Sequence, residues 1–158
     1  MTFEELRAFV SALERAQVSY VIIGGAALNA HGLIRATEDI DIMVEPTARN
    51  VDRLRSALRA MWDDPAIDEI TAGDLGGDYP AIRYGPPAGS LYIDIISRFG
   101  EGPSFADVAQ QTIDLGGVSA QVATPRALFE MKRNTVREID RRDAQALRQR
   151  FRLDSEEN

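Results

Sequence analysis

The sequence predicts an α/β (α+β) single domain in which helices flank a central mixed β-sheet. Three observations predict it. Two apolar runs, 19–23 and 39–44, read as strands on either side of a small-residue helix. Later runs at 81–84, 91–96, 112–115 and 118–123 have strand length and strand composition. Apolar residues at helical spacing open and close the chain. The expected domain spans 1–153, with 154–158 as a frayed tail.

The elements follow in order. Thr2 with Glu5 three residues on has the spacing of a capping box. Phe3, Leu6, Phe9, Val10 and Leu13 then make one stripe of a helix ending near Ala16. Tyr20, Val21, Ile22 and Ile23 are consecutive, as in a strand buried on both faces. Gly24-Gly25 leads into a helix over 26–33. Residues 39–44 alternate by two, and Pro46 stops them. Thr47 caps a helix to Trp62 with Val51, Leu54, Leu58 and Met61 inward. Residues 63–79 read as loop with one short strand at 67–71. The strand at 81–84 ends in the Gly85-Pro86-Pro87 turn. A short helix is expected at 105–110. Gly116-Gly117 joins 112–115 to 118–123 as a hairpin. Thr124 and Pro125 start a helix to about 134, and a last helix covers 138–151.

Composition narrows the function. The 158 residues are 44% hydrophobic and 27% charged, which suits a globular protein able to bury a core. No apolar run reaches the roughly 18 residues of a membrane span, and no signal peptide is visible, so a cytoplasmic protein with no membrane partner is expected. Cysteine is absent, which excludes disulfides, thiolate nucleophiles and cysteine–zinc sites. A net charge of −7 argues against coating nucleic acid non-specifically. It leaves room for a local basic patch, and the C-terminal third carries one.

The chemistry concentrates in residues 21–44. On a strand, Asp39 and Asp41 share one face and Ile40 and Ile42 the other. Two carboxylates so placed repel unless a cation sits between them, and oxygen ligands suit Mg²⁺, with Mn²⁺ as the alternative. The glycine pair opens a helix whose free N–H groups can hold phosphate. Asp94 is the one charge inside the apolar run 91–96. If that strand lies beside 39–44, Asp39, Asp41 and Asp94 converge as metal ligands and catalytic groups. Metal ions held there can activate an attacking oxygen and steady a leaving pyrophosphate.

The order Gly24-Gly25, thirteen residues, Asp39-x-Asp41, then Asp94 on a later strand resembles the nucleotidyltransferase superfamily of the DNA polymerase β type. More narrowly, Ile23-Gly-Gly-Ala-Ala-Leu-Asn-Ala-His-Gly and Arg35-Ala-Thr-Glu-Asp-Ile-Asp41 resemble the AbiEii/MenT-type toxin nucleotidyltransferases, and in particular the DUF6036 branch. The closing run Leu128-Phe-Glu-Met-Lys132, Arg137-Glu-Ile-Asp140-Arg-Arg-Asp143 is similar to that branch's last motif. The resemblance covers about 18–148. It departs at Gly25, where a serine is usual, and in lacking the large C-terminal helical domain of longer toxins. It implies the nucleotidyltransferase fold, an NTP substrate, and an acceptor that is a tRNA 3′ end or a hydroxyl on a partner protein. It also implies a toxin–antitoxin setting with a cognate antitoxin.

Other residues have sharp and bland readings. Lys132 lies four after Leu128 and four before Val136, so it snorkels or meets the triphosphate; the triphosphate is favoured. Asp143 interrupts the line from Ile139 to Leu147 and needs a cationic or hydrogen-bonding partner. Arg35 and Arg137 are further nucleotide-binding candidates, and Thr37 can orient Asp39 through a hydrogen bond. Arg137, Arg141, Arg148 and Arg152 share a helix face suited to RNA. His31, Trp62 and Tyr84 read better as packing or hydrogen-bonding residues than as ligands or base-stacking groups. The resulting expectation is a Mg²⁺-dependent nucleotidyltransferase. Two alternatives are a non-catalytic nucleotide-binding or interaction module, such as an antitoxin partner, and a cation-binding structural domain.

Overall fold

The computed structural model describes residues 1–78, 80–89, 91–133 and 137–153. Six strands form one mixed sheet: β1 (Tyr20–Ile23), β2 (Asp39–Val44), β3 (Ala81–Tyr84), β4 (Tyr92–Ile96), β5 (Gln110–Asp114) and β6 (Ser119–Ala123). Their spatial order is β3-β4-β2-β1-β6-β5. The central pair β1–β2 is antiparallel, while β2–β4 and β1–β6 are parallel. Both outer pairs are antiparallel. Each parallel pair joins strands far apart in sequence, as parallel crossovers require.

Among the described residues the α-helices are α1 (Phe3–Arg15), α2 (Gly24–Ala30), α3 (Ala48–Met61), α4 (Ala72–Leu75), α5 (Pro125–Lys132) and α6 (Glu138–Phe151). The caps expected at Thr2, Thr47 and Thr124 each accept a backbone N–H three residues on. The α1 stripe is buried at Leu6, Phe9, Val10 and Leu13 but leaves Phe3 exposed. It packs on α3, whose Val51, Leu54 and Leu58 are buried. Fully burying each such side chain is worth roughly 1.5–3 kcal/mol, so this contact anchors the fold independently of the site.

Several boundaries differ from the sequence expectation. The segment 67–71 is not a strand. A 3₁₀ turn, Pro65–Glu69, is followed by α4, because Asp64 and Thr71 each cap the backbone ahead of them. Ile67, Ile70 and Leu75 are buried from these single turns. The helix expected at 105–110 is only a 3₁₀ turn, Phe105–Asp107, since Gln110 already pairs with Ala123 in β5. The small helix starts at Gly24 rather than Ala26. The end of the helix expected near 134, Val136 beside Lys132, and the tail 154–158 lie outside the described residues. Among the described residues no helix is long and apolar enough to cross a membrane.

Candidate active site

The register of β2 and β4 builds the site. Asp41 lies directly opposite Asp94, and Asp39 lies opposite Tyr92. All three aspartates occupy partly exposed positions, while their strand neighbours Ile40, Ile42, Ile93 and Ile95 are buried. The alternation thus turns the carboxylates to one face and anchors the other in the core. Burial is the largest reason that Asp41 is pushed up from the ordinary 3.8 to about 7. A hydrogen bond to the Asp94 carboxyl and the charges of Asp94 and Asp39 add to it, and the Lys132 charge opposes it. Two facing carboxylates of which one cannot readily ionise form a site that favours a cation.

The glycine pair is held against these groups. Ile23 pairs with Asp41 across the antiparallel β1–β2 ladder, so the chain turns into α2 beside that carboxylate. Gly24 has φ +67°, and a Cβ there would run into the Asp41 carboxylate. Only glycine meets both demands. Gly25 is fixed by a different neighbour: its Cβ would stand 2.9 Å from the Thr37 Cβ. This close packing accounts for the missing serine. Thr37 Oγ1 donates to the Asp39 carbonyl at 2.9 Å, so it tethers the start of β2 through the backbone.

Opposite the strands stand α5 and α6. A cavity of about 250 Å³ is lined by Gly24, Asp41, Asp94, Lys132, Arg137 and Asp140, with Ile23, Ile96, Phe99, Leu128 and Met131 as apolar wall. A few convergent polar groups in an apolar pocket are the usual form of a ligand site. A larger groove of about 570 Å³ lies beyond the ends of β2 and β4, lined by Glu45, Asp78, Arg98 and Glu101. Its charged side chains are all at least partly exposed. The smaller cavity collects the buried charge and is the better candidate.

Lys132 neither snorkels nor points freely at a ligand. It is 9% exposed, and its Nζ lies 3.0 Å from Asp143 Oδ2 and 3.2 Å from Asp140 Oδ1. Asp143 also receives Arg35 Nε at 3.3 Å, and Asp140 faces Arg137 Nε at 3.6 Å. The cationic partner required by Asp143 is therefore present twice. Lys132 and Arg137 line the carboxylate cavity, whereas Arg35 lines a separate groove with Asn29 and Thr37. The arginine face also divides. Arg141 and Arg148 line a shallow groove with Arg133 and Phe129, apart from Arg137.

The bland readings hold for three residues. His31 Nε2 meets the Ala123 carbonyl at 2.7 Å, and its ring stands edge-on to Phe151. Trp62 and Tyr84 pack on each other at 5.8 Å, and the Tyr84 hydroxyl donates to Asp64.

Sequence reasoning missed Arg83. From β3 it places Nη2 2.6 Å from Asp39 Oδ2 and Nε 3.3 Å from Asp94 Oδ1. It is the cross-strand partner of Asp94. The lone signal was an arginine in a four-residue strand of then-unknown pairing. The donor set of three carboxylates suits a hard divalent cation, and Arg83 already supplies positive charge between two of them. As the side chains stand, no group of three carboxylate or imidazole side chains among the described residues is placed to hold a metal ion, and Arg83 takes up two of the three aspartates.

Comparison with known proteins agrees with this architecture. A crystal structure of an antigenic nucleotidyltransferase-like protein from Paracoccidioides brasiliensis is similar in fold, with a TM-score of 0.58 at 15% identity. The similarity covers 92% of this chain and 74% of that one. No curated protein matches the sequence. The family model described as nucleotidyl transferase AbiEii toxin, type IV toxin–antitoxin system, matches residues 7–152. That span includes the glycine turn, all three aspartates and the lysine clamp, and the chain belongs to the AbiEii nucleotidyltransferase family.

Proposed function

We propose that the protein transfers a nucleotidyl group from an NTP to an acceptor hydroxyl, with Asp39, Asp41 and Asp94 holding Mg²⁺. The observation that carries this reading is Asp41 facing Asp94 in register, half-buried, beside the Gly24 turn and Lys132. Bound Mg²⁺ supplies positive charge that neutralises the carboxylates and the triphosphate. The chain's own residues do the rest. Gly24 and Gly25 present backbone N–H groups to phosphate at the mouth of the cavity. Lys132 and Arg137 line the cavity, where a triphosphate would compete with Asp140 and Asp143 for the two cations. Arg35 and Thr37 act indirectly, Arg35 by holding Asp143 and Thr37 by holding the start of β2. The acceptor oxygen bonds to the α-phosphorus as the bond to the bridging oxygen breaks, pyrophosphate leaves, and Asp94 takes the acceptor's proton.

The acceptor is read as tRNA, with a hydroxyl on a partner protein as the rival. The groove of Arg133, Arg141 and Arg148 favours an anionic acceptor. The family implies a cognate antitoxin and a toxin role for this activity. Incubation with each α-labelled NTP, Mg²⁺ and total RNA or cell lysate tests the reading. Label in ribonuclease-sensitive material is expected. Label in a ribonuclease-resistant protein band would reverse the choice of acceptor, and no transfer with any NTP would overturn the reading.

A further inference from the structure

We infer that Arg83 is a tethered counter-ion that occupies the carboxylate site before a divalent cation enters, and that cation entry displaces it. The inference rests on the reading of Asp39, Asp41 and Asp94 as a cation site. Three observations carry it.

First, the guanidinium bridges two strands. It reaches Asp39 on β2 through Nη2 at 2.6 Å and Asp94 on β4 through Nε at 3.3 Å. It thereby sits between the carboxylates that a metal ion would have to join. Second, its position is built rather than incidental. The Arg83 Cζ stacks 4.5 Å from the centre of the Tyr92 ring, and Tyr92 is the register partner of Asp39. Tyr92 in turn lies against Gly85, where a Cβ would stand 2.8 Å from the ring. Glycine, aromatic ring and guanidinium form a layered rest for the cation on the edge strand. Third, Arg83 is 55% exposed on the side chain, so it can leave without opening the core. Lys132 on the far wall is buried between Asp140 and Asp143 and has no such freedom.

A guanidinium and a divalent cation cannot share the same carboxylate oxygens at contact distance, because their charges repel. The structure therefore contains a competition. With the site empty, Arg83 lowers the mutual repulsion of Asp39 and Asp94. With the site filled, Arg83 withdraws while the flanking Tyr92 keeps it beside Asp39. Metal affinity is set by the difference between the two states.

Calorimetric titration of Mn²⁺ into the nucleotide-free protein tests this without relying on activity. Arg83→Gln should bind Mn²⁺ about two- to fivefold more tightly than wild type, the equivalent of losing one exposed ion pair. Tyr92→Ala should shift affinity in the same direction by a smaller factor, since it removes the rest and keeps the charge. Arg83→Lys should fall between wild type and Arg83→Gln, since it keeps the charge and loses the two-pronged bridge. Adding Asp41→Asn to Arg83→Gln should weaken the tightened binding, which locates the ion. Circular dichroism melts confirm that each variant is folded, and unfolding of Arg83→Gln would move the decision to Tyr92→Ala. Equal or weaker Mn²⁺ binding in Arg83→Gln would overturn the competition while leaving the carboxylate site standing. Failure of both wild type and Arg83→Gln to bind Mn²⁺ would overturn the carboxylate reading and the inference together.

Discussion

Replacing Asp41 with asparagine should abolish transfer and, without metal, stabilise the protein. Burial and the Asp94 carboxyl push Asp41 from the ordinary 3.8 to about 7. Each tenfold in proton affinity is worth about 1.36 kcal/mol, so ionised Asp41 disfavours the fold by at most about 4 kcal/mol above neutral pH. Asp94 shares that repulsion, so asparagine should recover roughly 1–3 kcal/mol. For a chain of this length each kcal/mol moves the melting point by roughly 2–4 °C. The sign follows from proton counting. Between about pH 4 and pH 7 the native state holds a proton that the unfolded chain has released, so wild-type stability falls as pH rises through that window. The asparagine variant has no proton to lose at this position. The gap between the two melting points, measured in EDTA, should therefore open from about pH 4 and level off above about pH 7. Transfer should drop at least about a thousandfold, because several kcal/mol of transition-state stabilisation is lost with a cation ligand. A variant that melts below wild type at about pH 8, shows a gap independent of pH, or retains transfer would refute the reasoning.

Three further outcomes are expected. Lys132→Ala should weaken NTP binding and also lower stability by roughly 1–3 kcal/mol in urea denaturation, because Asp140 and Asp143 would lose their shared lysine and keep only Arg137 and Arg35. Gly24→Ala should remove NTP binding in calorimetry and destabilise by at least about 1 kcal/mol, since its Cβ meets Asp41 at a positive φ. Charge reversal at Arg141 and Arg148 should cut RNA labelling severalfold and flatten its salt dependence while NTP affinity stays unchanged.

What could be read in advance depended on how local each feature is. The sheet strands, the threonine caps and the Asp39–Asp41 face follow from periods of two or from three-residue spacings, which a single segment carries by itself. The region 63–79 resisted because one-turn helices are too short to repeat, and capping by Asp64 and Thr71 decided the outcome. Arg83 was invisible for a different reason. Its partners lie 44 residues upstream and on the neighbouring strand, so only the β3–β4 register shows that it matters. Lys132 and Asp143 stood out as charges on apolar lines, yet their pairing needed the packing of α5 on α6. The reason for Gly25 needed Thr37 in place.

The cavity has a consequence for how the protein is made. Its floor comes from β1, α2, β2 and β4, all synthesised by Ile96, while its ceiling comes from α5 and α6. Strand β6, the second neighbour of β1, is also made late. A chain still on the ribosome thus carries its aspartates long before it carries the lysine that faces them. The cavity has no ceiling until the last two helices arrive. The carboxylate face is therefore complete in sequence well before the two helices that cover it, and the covered cavity is a property of the finished chain alone.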